Sequence, residues 1–209
     1  MIKQWWVESK EAGRIKKKIY QILQQYYSFG TWHTEPINNR PYALEVVRML
    51  NKLISRNKFN QCMPFVEVGC GLGDIIGSLK WKHEKIGYDI SAEALKAGAL
   101  LYPKVRFHKG TFHDIDCGNI NCLIMLNFIH MIPYDNLKKE IDVVLKKNRV
   151  KMFVLDTFTE NEGTEYVYSH NGEYLFDDRY KLAKRSEGIP CAHGAKRYIE
   201  YWLICKEKV

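Results

Sequence analysis

The chain has 209 residues, of which 46% are hydrophobic and 27% are charged, a balance typical of an ordinary globular protein. At about 100–200 residues per domain, this length accommodates one sizeable domain with an added segment and excludes a disulfide-stapled miniprotein. The 32 Lys and Arg residues outnumber the 24 Asp and Glu residues, which gives a net charge of +8. Such a charge favours an anionic partner without identifying one.

Targeting and metal-binding signals are weak in this sequence. The first residues, Met1 to Trp6, lead into charged residues without the apolar core of a signal peptide, and no run approaches the length of a membrane span. We therefore expect a cytoplasmic protein with no membrane segment. The six cysteines are scattered, with no C-x-x-C and no Cys/His pair, so the pattern predicts reduced thiols and no metal site.

The N-terminal residues 1–60 are predicted to form a helical lid. Apolar side chains recur at helical spacing between Glu8 and Phe29, Gly30 is the expected C-cap, and Pro41 suits the first turn of a second helix. The apolar stripe expected to be buried is Ile15, Ile19, Ile22, Leu23 and Tyr26. The lid side chains expected over a ligand are Tyr26, Tyr27, Trp32, His33, Arg40 and Tyr42. The alternative is a helical pair that only packs on the sheet.

Residues 61–209 are predicted to form one Rossmann-like domain, because short apolar runs alternate with helical stretches. This alternation indicates an α/β fold with a doubly wound, seven-stranded sheet, mostly parallel and ending in a C-terminal antiparallel hairpin. The expected strands are Pro64–Gly69, Lys85–Ile90, Val105–Lys109, Cys122–Ile129, Val150–Phe158, Tyr180–Glu187 and Arg197–Lys206. The expected helices are Asp74–Trp81, Ala92–Leu101 and Tyr134–Lys147.

A glycine-rich turn follows the first of these strands. Gly69, Gly71 and Gly73 let the backbone turn sharply and approach a ligand, which predicts a nucleotide-like cofactor. Asp74 stands where a dinucleotide fingerprint has its last glycine, and a carboxylate there repels a pyrophosphate. A P-loop is excluded, because no Gly-Lys-Ser/Thr follows the turn.

An acidic residue, Asp89, ends the second strand beside this turn. Its position suits a carboxylate that accepts hydrogen bonds from both ribose hydroxyls. The alternative is an N-cap for the helix that starts near Ser91.

The segment from Glu67 to Asp74 resembles the first motif of class I S-adenosylmethionine (SAM)-dependent methyltransferases. The resemblance implies that the chain is a methyltransferase with SAM as its cofactor. Thr111 stands where that family often has Asp, so Phe112 is expected to pack on the adenine. The cofactor-binding residues implied are Glu67, Gly69, Cys70, Gly71, Gly73, Asp89, Ile90, Thr111, Phe112 and Asn127.

The segment in which the fourth strand ends, Leu126 to Pro133, is expected to place Asn127 and His130 toward the cleft, on the acceptor side. Its His resembles that of the small-molecule, sugar-type branch of the family. His130 and His33 are the candidate catalytic bases, since imidazole titrates near neutral pH, although a structural role for each is the alternative. The expected substrate-binding residues are Tyr27, Trp32, His33, Arg40, His130 and His170, with Tyr168 and His193 as weaker candidates.

These patterns together predict an enzyme that transfers a methyl group to a small-molecule or glycan-type acceptor at oxygen. A nucleic-acid substrate is disfavoured, because the strand-four segment lacks the Asn/Asp-Pro-Pro motif and Pro190-Cys191 falls too late for a cytosine site. The alternatives are an RNA methyltransferase that uses the +8 charge and a non-catalytic binding protein with the same fold. A nicotinamide-dependent oxidoreductase is disfavoured by Asp74.

Overall fold

The structure, a computed structural model, describes residues 7–158, 167–191 and 195–205. The helices in these residues are α1 (Lys10–Tyr27), α2 (Pro41–Ser55), α3 (Asp74–Ser78), α4 (Ala92–Leu101), α5 (Tyr134–Lys147) and α6 (Gly172–Leu175). The strands are β1 (Phe65–Val68), β2 (Lys85–Asp89), β3 (Arg106–Lys109), β4 (Asn119–Ile120), β5 (Cys122–Met125), β6 (Arg149–Val150), β7 (Met152–Phe158), β8 (Tyr180–Arg185), β9 (Ile189–Pro190) and β10 (Lys196–Ile204).

The main sheet has the strand order β3-β2-β1-β5-β7-β10-β8, and β9 pairs with the start of β10. The first five strands in this order run parallel. β10 is antiparallel to both β7 and β8. The doubly wound α/β fold, its mostly parallel sheet and its C-terminal hairpin are therefore confirmed, with β9 as an eighth strand beyond the seven expected.

The central strands are buried along their whole length, as parallel strands covered on both faces are. Side chains alternate between two cores. On one face, Val66, Leu123 and Phe153 pack with Leu137 and Ile141 of α5. On the other face the core contains Phe65, Ile124 and Val154 together with Val46, Val47 and Leu50 of α2. Successive side chains of each strand therefore point to opposite faces of the sheet. α5 covers one face and α2 covers the other.

The first helix is present as predicted, but its expected buried stripe is wrong. Ile15, Ile22 and Tyr26 are 41%, 65% and 79% exposed. The buried residues are Ala12, Gly13, Lys16 and Tyr20, while Ile19 and Leu23 are half-buried. The reason is close approach and a polar contact: a Cβ on Gly13 would lie 2.8 Å from Asn38, and the Tyr20 hydroxyl bonds to Asp74.

The end of α1 also differs from the prediction. Ser28 is the C-cap, with a left-handed φ of 59°, and its N–H donates to the carbonyl of Gln24. Gly30 has a φ of −58° and lies under the indole of Trp32, where a Cβ would come within 2.3 Å of the ring. Gly30 therefore leaves room for the Trp32 indole and does not end the helix.

Several elements are shorter than predicted, and most of the differences are one or two residues at an end. β5 ends at Met125 because the chain turns at Asn127, whose φ is 66°. The expected strand Val150–Phe158 divides into the short β6 and β7, and α3 ends at Ser78. Lys206 lies outside the described residues. Within the described ranges, no helix combines the length and the apolar character that a membrane crossing requires.

Candidate functional site

A cleft of about 660 Å³ opens at the carboxyl ends of β1, β2 and β5. This volume falls in the usual range for small-molecule sites. The predicted residues that line it are Trp32, His33, Arg40, Tyr42, Glu67, Gly69, Cys70, Gly71, Asp89, Ile90, Thr111, Phe112 and Asn127. The lining also includes residues that the sequence did not single out for the site, among them Ser91, Phe128, Ile132, Asn136, Lys139 and Glu140.

The glycine turn adopts a backbone that other residues rarely adopt. Gly69, Gly71 and Gly73 have φ values of 68°, 53° and 76°. A Cβ on Gly69 would lie 2.5 Å from the Phe128 ring, and one on Gly71 would lie 2.5 Å from His33 Nδ1. Gly73 caps α3 and lies outside the cleft lining. The turn therefore requires glycine for both conformation and space.

Asp89 joins the glycine turn to the start of α4. Its Oδ2 accepts the Gly71 N–H at 2.7 Å, and its Oδ1 accepts the Ser91 N–H at 2.9 Å. The N-cap of α4 is Ser91, whose side chain accepts the N–H of Ala94. The alternative reading of Asp89 as that N-cap is therefore wrong. Its carboxylate instead borders the cleft beside the glycine turn.

Asp74 connects the N-terminal helical segment to the first turn of α3. The buried carboxylate accepts hydrogen bonds from the hydroxyls of Tyr20 and Tyr102, from the Ile37 N–H at 3.1 Å, and from Arg40 Nη2 at 2.6 Å. The sequence indicated only the negative charge of Asp74. The partners are distant along the chain, so local sequence carries no signal for this cluster.

Two predicted lid residues, His33 and Arg40, lie against the cleft. One nitrogen of Arg40 is engaged by Asp74, so its predicted contact with an acceptor anion stays a prediction. Burial lowers the pKa of His33, and the positive charge of Arg40 lowers it further, against the opposing effect of Asp89. The His33 imidazole is therefore neutral near pH 7 and able to accept a proton.

Glu67 and Cys70 form the floor of the cleft. Glu67 Oε2 accepts the Ile76 N–H at 2.9 Å, and burial raises the pKa of this carboxyl to about 8. Burial also raises the pKa of the Cys70 thiol, which is consequently protonated and a poor nucleophile. Burial therefore favours the uncharged form of both groups.

The far end of the cleft has an apolar wall. Ile90 is 73% exposed and lines the cleft together with Thr111 and Phe112. Thr111 begins a short 3₁₀ turn, and its N–H donates to Asp114 Oδ2 at 2.8 Å. The Phe112 ring is buried and lies 5.9 Å from the Phe128 ring, centroid to centroid. An apolar surface is thus present where the resemblance implied the adenine.

Asn127 sits in a polar network that the sequence did not reveal. Its backbone N–H donates to both carboxylate oxygens of Asp156, at 3.1 and 3.2 Å. Its side-chain Oδ1 accepts from Arg197 Nη2 at 2.9 Å. Asp156 and Arg197 are both buried and lie 3.4 Å apart as an ion pair.

The prediction that His130 faces the cleft is wrong. Its ring is buried outside the lining and packs edge-to-face on Phe158, with centroids 5.4 Å apart. Burial, followed by the charges of Arg197 and His170, lowers its pKa to about 4. The left-handed turn at Asn127 directs the following residues into the protein interior.

His170 and Tyr27 also lie outside the cleft lining, contrary to prediction. His170 Nε2 lies 2.8 Å from the carbonyl oxygen of Ile129 and 3.0 Å from that of Ile132, so it holds the turn between them. Tyr27 packs with the core cluster between α1 and α4. The N–H of Tyr168 donates to the His130 carbonyl.

His193, a weaker acceptor-site candidate, lies outside the described residues. Among the described residues, no group of three or more His, Cys, Asp or Glu side chains is arranged to hold a metal ion.

Comparison with known proteins gives a likeness in structure only. No family model matches the sequence, and no curated protein matches it. The structure is similar to magnesium protoporphyrin IX methyltransferase (ChlM) from Synechocystis PCC 6803 with bound SAH, at a TM-score of 0.64 and 13% identity over 98% of both chains. It is also similar to the N-methyltransferase NodS from Bradyrhizobium japonicum WM9 in complex with S-adenosyl-L-homocysteine (SAH), at a TM-score of 0.64 and 12% identity over 90% of this chain and 98% of that one.

The chain has the class I methyltransferase fold. A third similar structure, a TehB-like SAM-dependent methyltransferase from Corynebacterium glutamicum, agrees at a TM-score of 0.53 and 12% identity, over 80% of this chain and all of that one. In the methyltransferase fold of this chain, the cleft lies at the carboxyl ends of the parallel strands, where doubly wound sheets bind their ligands.

Proposed function

We propose that this chain is a SAM-dependent methyltransferase that transfers a methyl group to a small-molecule acceptor at oxygen. The observation that carries this proposal is the 2.7 Å contact between Asp89 Oδ2 and the Gly71 N–H. It holds a carboxylate at the end of β2 beside a left-handed glycine turn, inside a cleft of the methyltransferase fold. The division into a lid of residues 1–60 and a methyltransferase domain of residues 61–209 is part of the proposal.

The cleft residues fit SAM. Asp89 would hold the ribose hydroxyls, and the turn at Gly69 and Gly71 would hold the methionine part, in a cradle that a Cβ on Gly71 would fill. Ile90 and Phe112 would flank the adenine. When bound, SAM supplies an electrophilic methyl group on a positively charged sulfur.

The residues of this chain would then align the acceptor and remove its proton. Methyl transfer is an in-line displacement, so positioning and exclusion of water supply much of the acceleration. Among the described histidines, His33 is the one that lines the cleft, and its lowered pKa keeps it able to take a hydroxyl proton. His130 no longer serves this role in our proposal, because it is buried outside the cleft.

A small acceptor suits the space available. The cleft of about 660 Å³ must hold both cofactor and acceptor, and Trp32 and Tyr42 form part of its lining. A sugar-like acceptor and a cytoplasmic location stay predictions.

Calorimetric titration with SAM, SAH and NAD tests the proposal. We expect micromolar binding of SAM and SAH and none of NAD. Asp89→Asn should weaken SAM binding by about 10–100-fold, since a hydrogen bond to a charged group contributes about 1.5–3 kcal/mol. Asp116→Asn, which removes an exposed carboxylate outside the cleft lining, is the matched control and should leave the affinity unchanged. A folded wild-type protein that binds neither SAM nor SAH would refute the proposal.

A further inference from the structure

The side-chain amide of Asn127 has a fixed orientation. Arg197 Nη2 lies 2.9 Å from Asn127 Oδ1, and an arginine side chain only donates hydrogen bonds. The oxygen of the amide must therefore face Arg197, and its NH₂ group must point the other way. The backbone of Asn127 is fixed as well, because its N–H is held by both oxygens of Asp156.

Arg197 itself is held firmly in place. Its side chain is 3% exposed and pairs with Asp156, which is completely buried. The guanidinium carbon lies 4.0 Å from the Tyr42 ring centroid on one element and 4.8 Å from the Phe158 ring centroid on another. A planar cation enclosed in this way cannot reorient without breaking the ion pair and two ring contacts.

The NH₂ group of Asn127 is available to a ligand. Asn127 lines the cleft, and no atom in the described part of the chain accepts a hydrogen bond from its Nδ2. The charged hydrogen bond at Oδ1 polarises the amide, which strengthens donation from Nδ2. The network therefore presents one oriented donor to the cleft.

We propose that Asn127 Nδ2 is a specificity-determining donor that selects an oxygen nucleophile, such as a carboxylate or a hydroxyl, over an amine. This inference rests on the proposed methyltransferase function. An acceptor oxygen uses one lone pair to form the bond to the methyl carbon, while the carbon–sulfur bond breaks and its electron pair stays on sulfur. A second oxygen lone pair accepts the hydrogen bond from Nδ2. A hydroxyl proton leaves to His33, and a carboxylate has none to lose.

An amine acceptor does not fit the same arrangement. A neutral amine has a single lone pair, which the attack on the methyl group consumes, and its N–H groups need hydrogen-bond acceptors. Asn127 offers it a further donor, with the positive charge of Arg197 behind the amide. The network thus disfavours a nitrogen nucleophile at this position.

Matched binding probes test the inference without knowledge of the natural acceptor. The full chain, loaded with SAH, is titrated at pH 7 with phenol and with aniline, both of which are neutral at that pH, by ligand-detected NMR. We expect phenol to bind at least about tenfold more tightly, a difference of about 1.4 kcal/mol. Failure of SAH to bind would refute the proposed function. Bound SAH with no preference for phenol, including no detectable binding of either compound, would overturn only the inference about Asn127.

The Asn127→Asp variant replaces the Nδ2 donor by an oxygen acceptor with little change in side-chain shape. An aspartate tolerates the left-handed backbone and still accepts from Arg197, but it presents an oxygen to the cleft. We expect the preference for phenol to be lost or reversed, with SAH still bound. Asn119→Asp adds the same charge at an exposed position outside the cleft lining and is expected to keep the preference. Retained preference in Asn127→Asp, or equal loss in Asn119→Asp, would overturn the inference.

Discussion

Asp74 Oδ2 lies 2.6 Å from Arg40 Nη2, and this ion pair joins the residue that precedes α2 to the first turn of α3. The same carboxylate accepts hydrogen bonds from Tyr20 of α1 and from Tyr102 at the end of α4. One side chain therefore connects α1, the start of α2 and the end of α4. These contacts hold the N-terminal helices against the helix that follows the glycine turn.

Replacement of Asp74 by alanine should destabilise the protein strongly. The substitution leaves Arg40 without its carboxylate and leaves the hydroxyls of Tyr20 and Tyr102, which lie 3.3 Å apart, with only each other as partners. Removal of one partner of a buried ion pair typically costs about 3–5 kcal/mol. Urea denaturation followed by circular dichroism measures the loss of unfolding free energy.

The surface pair Lys138–Asp142 provides the control for this measurement, because it has the same chemistry at an exposed site of α5. Asp142→Ala should cost less than about 1 kcal/mol. A loss for Asp74→Ala that is no greater than the loss for Asp142→Ala would contradict the role we give to Asp74.

The sheet and the glycine turn were predictable because their signals are local. Continuous apolar runs identify buried parallel strands, and alternate glycines identify a turn with positive φ. Asp89 was predictable for the same reason, since strand order places the ends of β1 and β2 side by side.

The polar networks were not predictable, because their partners are far apart in sequence. Asn127 and Arg197 are 70 residues apart, and Tyr20 and Asp74 are 54 apart. The prediction that His130 faces the cleft was wrong because the chain makes a left-handed turn at Asn127. No repeating pattern in the sequence indicates such a turn. The predicted buried face of α1 was wrong because Lys16 and Tyr20, and not the isoleucines, are buried there.

Gly71→Ala should abolish cofactor binding. An alanine at a φ of 53° is strained, and its Cβ would lie 2.5 Å from His33 Nδ1, so the turn or the lid must shift. We expect at least a hundredfold loss of SAH affinity in calorimetric titration.

The control is Gly118→Ala, at a glycine with a similar φ of 68° and no atom within 4 Å of the new Cβ. It should cost about 1–2 kcal/mol of stability and leave SAH affinity unchanged. Similar SAH affinities in the two variants would argue against the close approach at Gly71.

Glu67 should make stability fall as the pH rises. Burial raises its pKa from 4.5 to about 8, so the folded state binds a proton that the unfolded state releases in this range. The resulting stabilisation is fully present below pH 4.5 and is lost as the pH rises through about 8, with a full extent of about 5 kcal/mol. Glu67→Gln removes the titration, so the free energy of unfolding of the variant should exceed that of the wild type increasingly toward alkaline pH. A constant difference between the two across this range would contradict the assignment.

His130 should have the opposite effect on the acid side. Burial lowers its pKa from 6.5 to about 4, so the folded state resists a proton that the unfolded state accepts. Stability from this group is fully present above pH 6.5 and falls by about 3 kcal/mol as the pH drops to about 4. His130→Gln keeps a polar side chain that does not titrate. Urea denaturation across this range should show that the variant loses less unfolding free energy on acidification than the wild type.

Glu67→Gln is the reference. The titration of Glu67 stabilises the protein as the pH falls, so its removal should not reduce the loss of unfolding free energy on acidification. Equal acid losses in His130→Gln and the wild type would show that the imidazole is accessible to protons in the folded state, and would restore His130 as a candidate base.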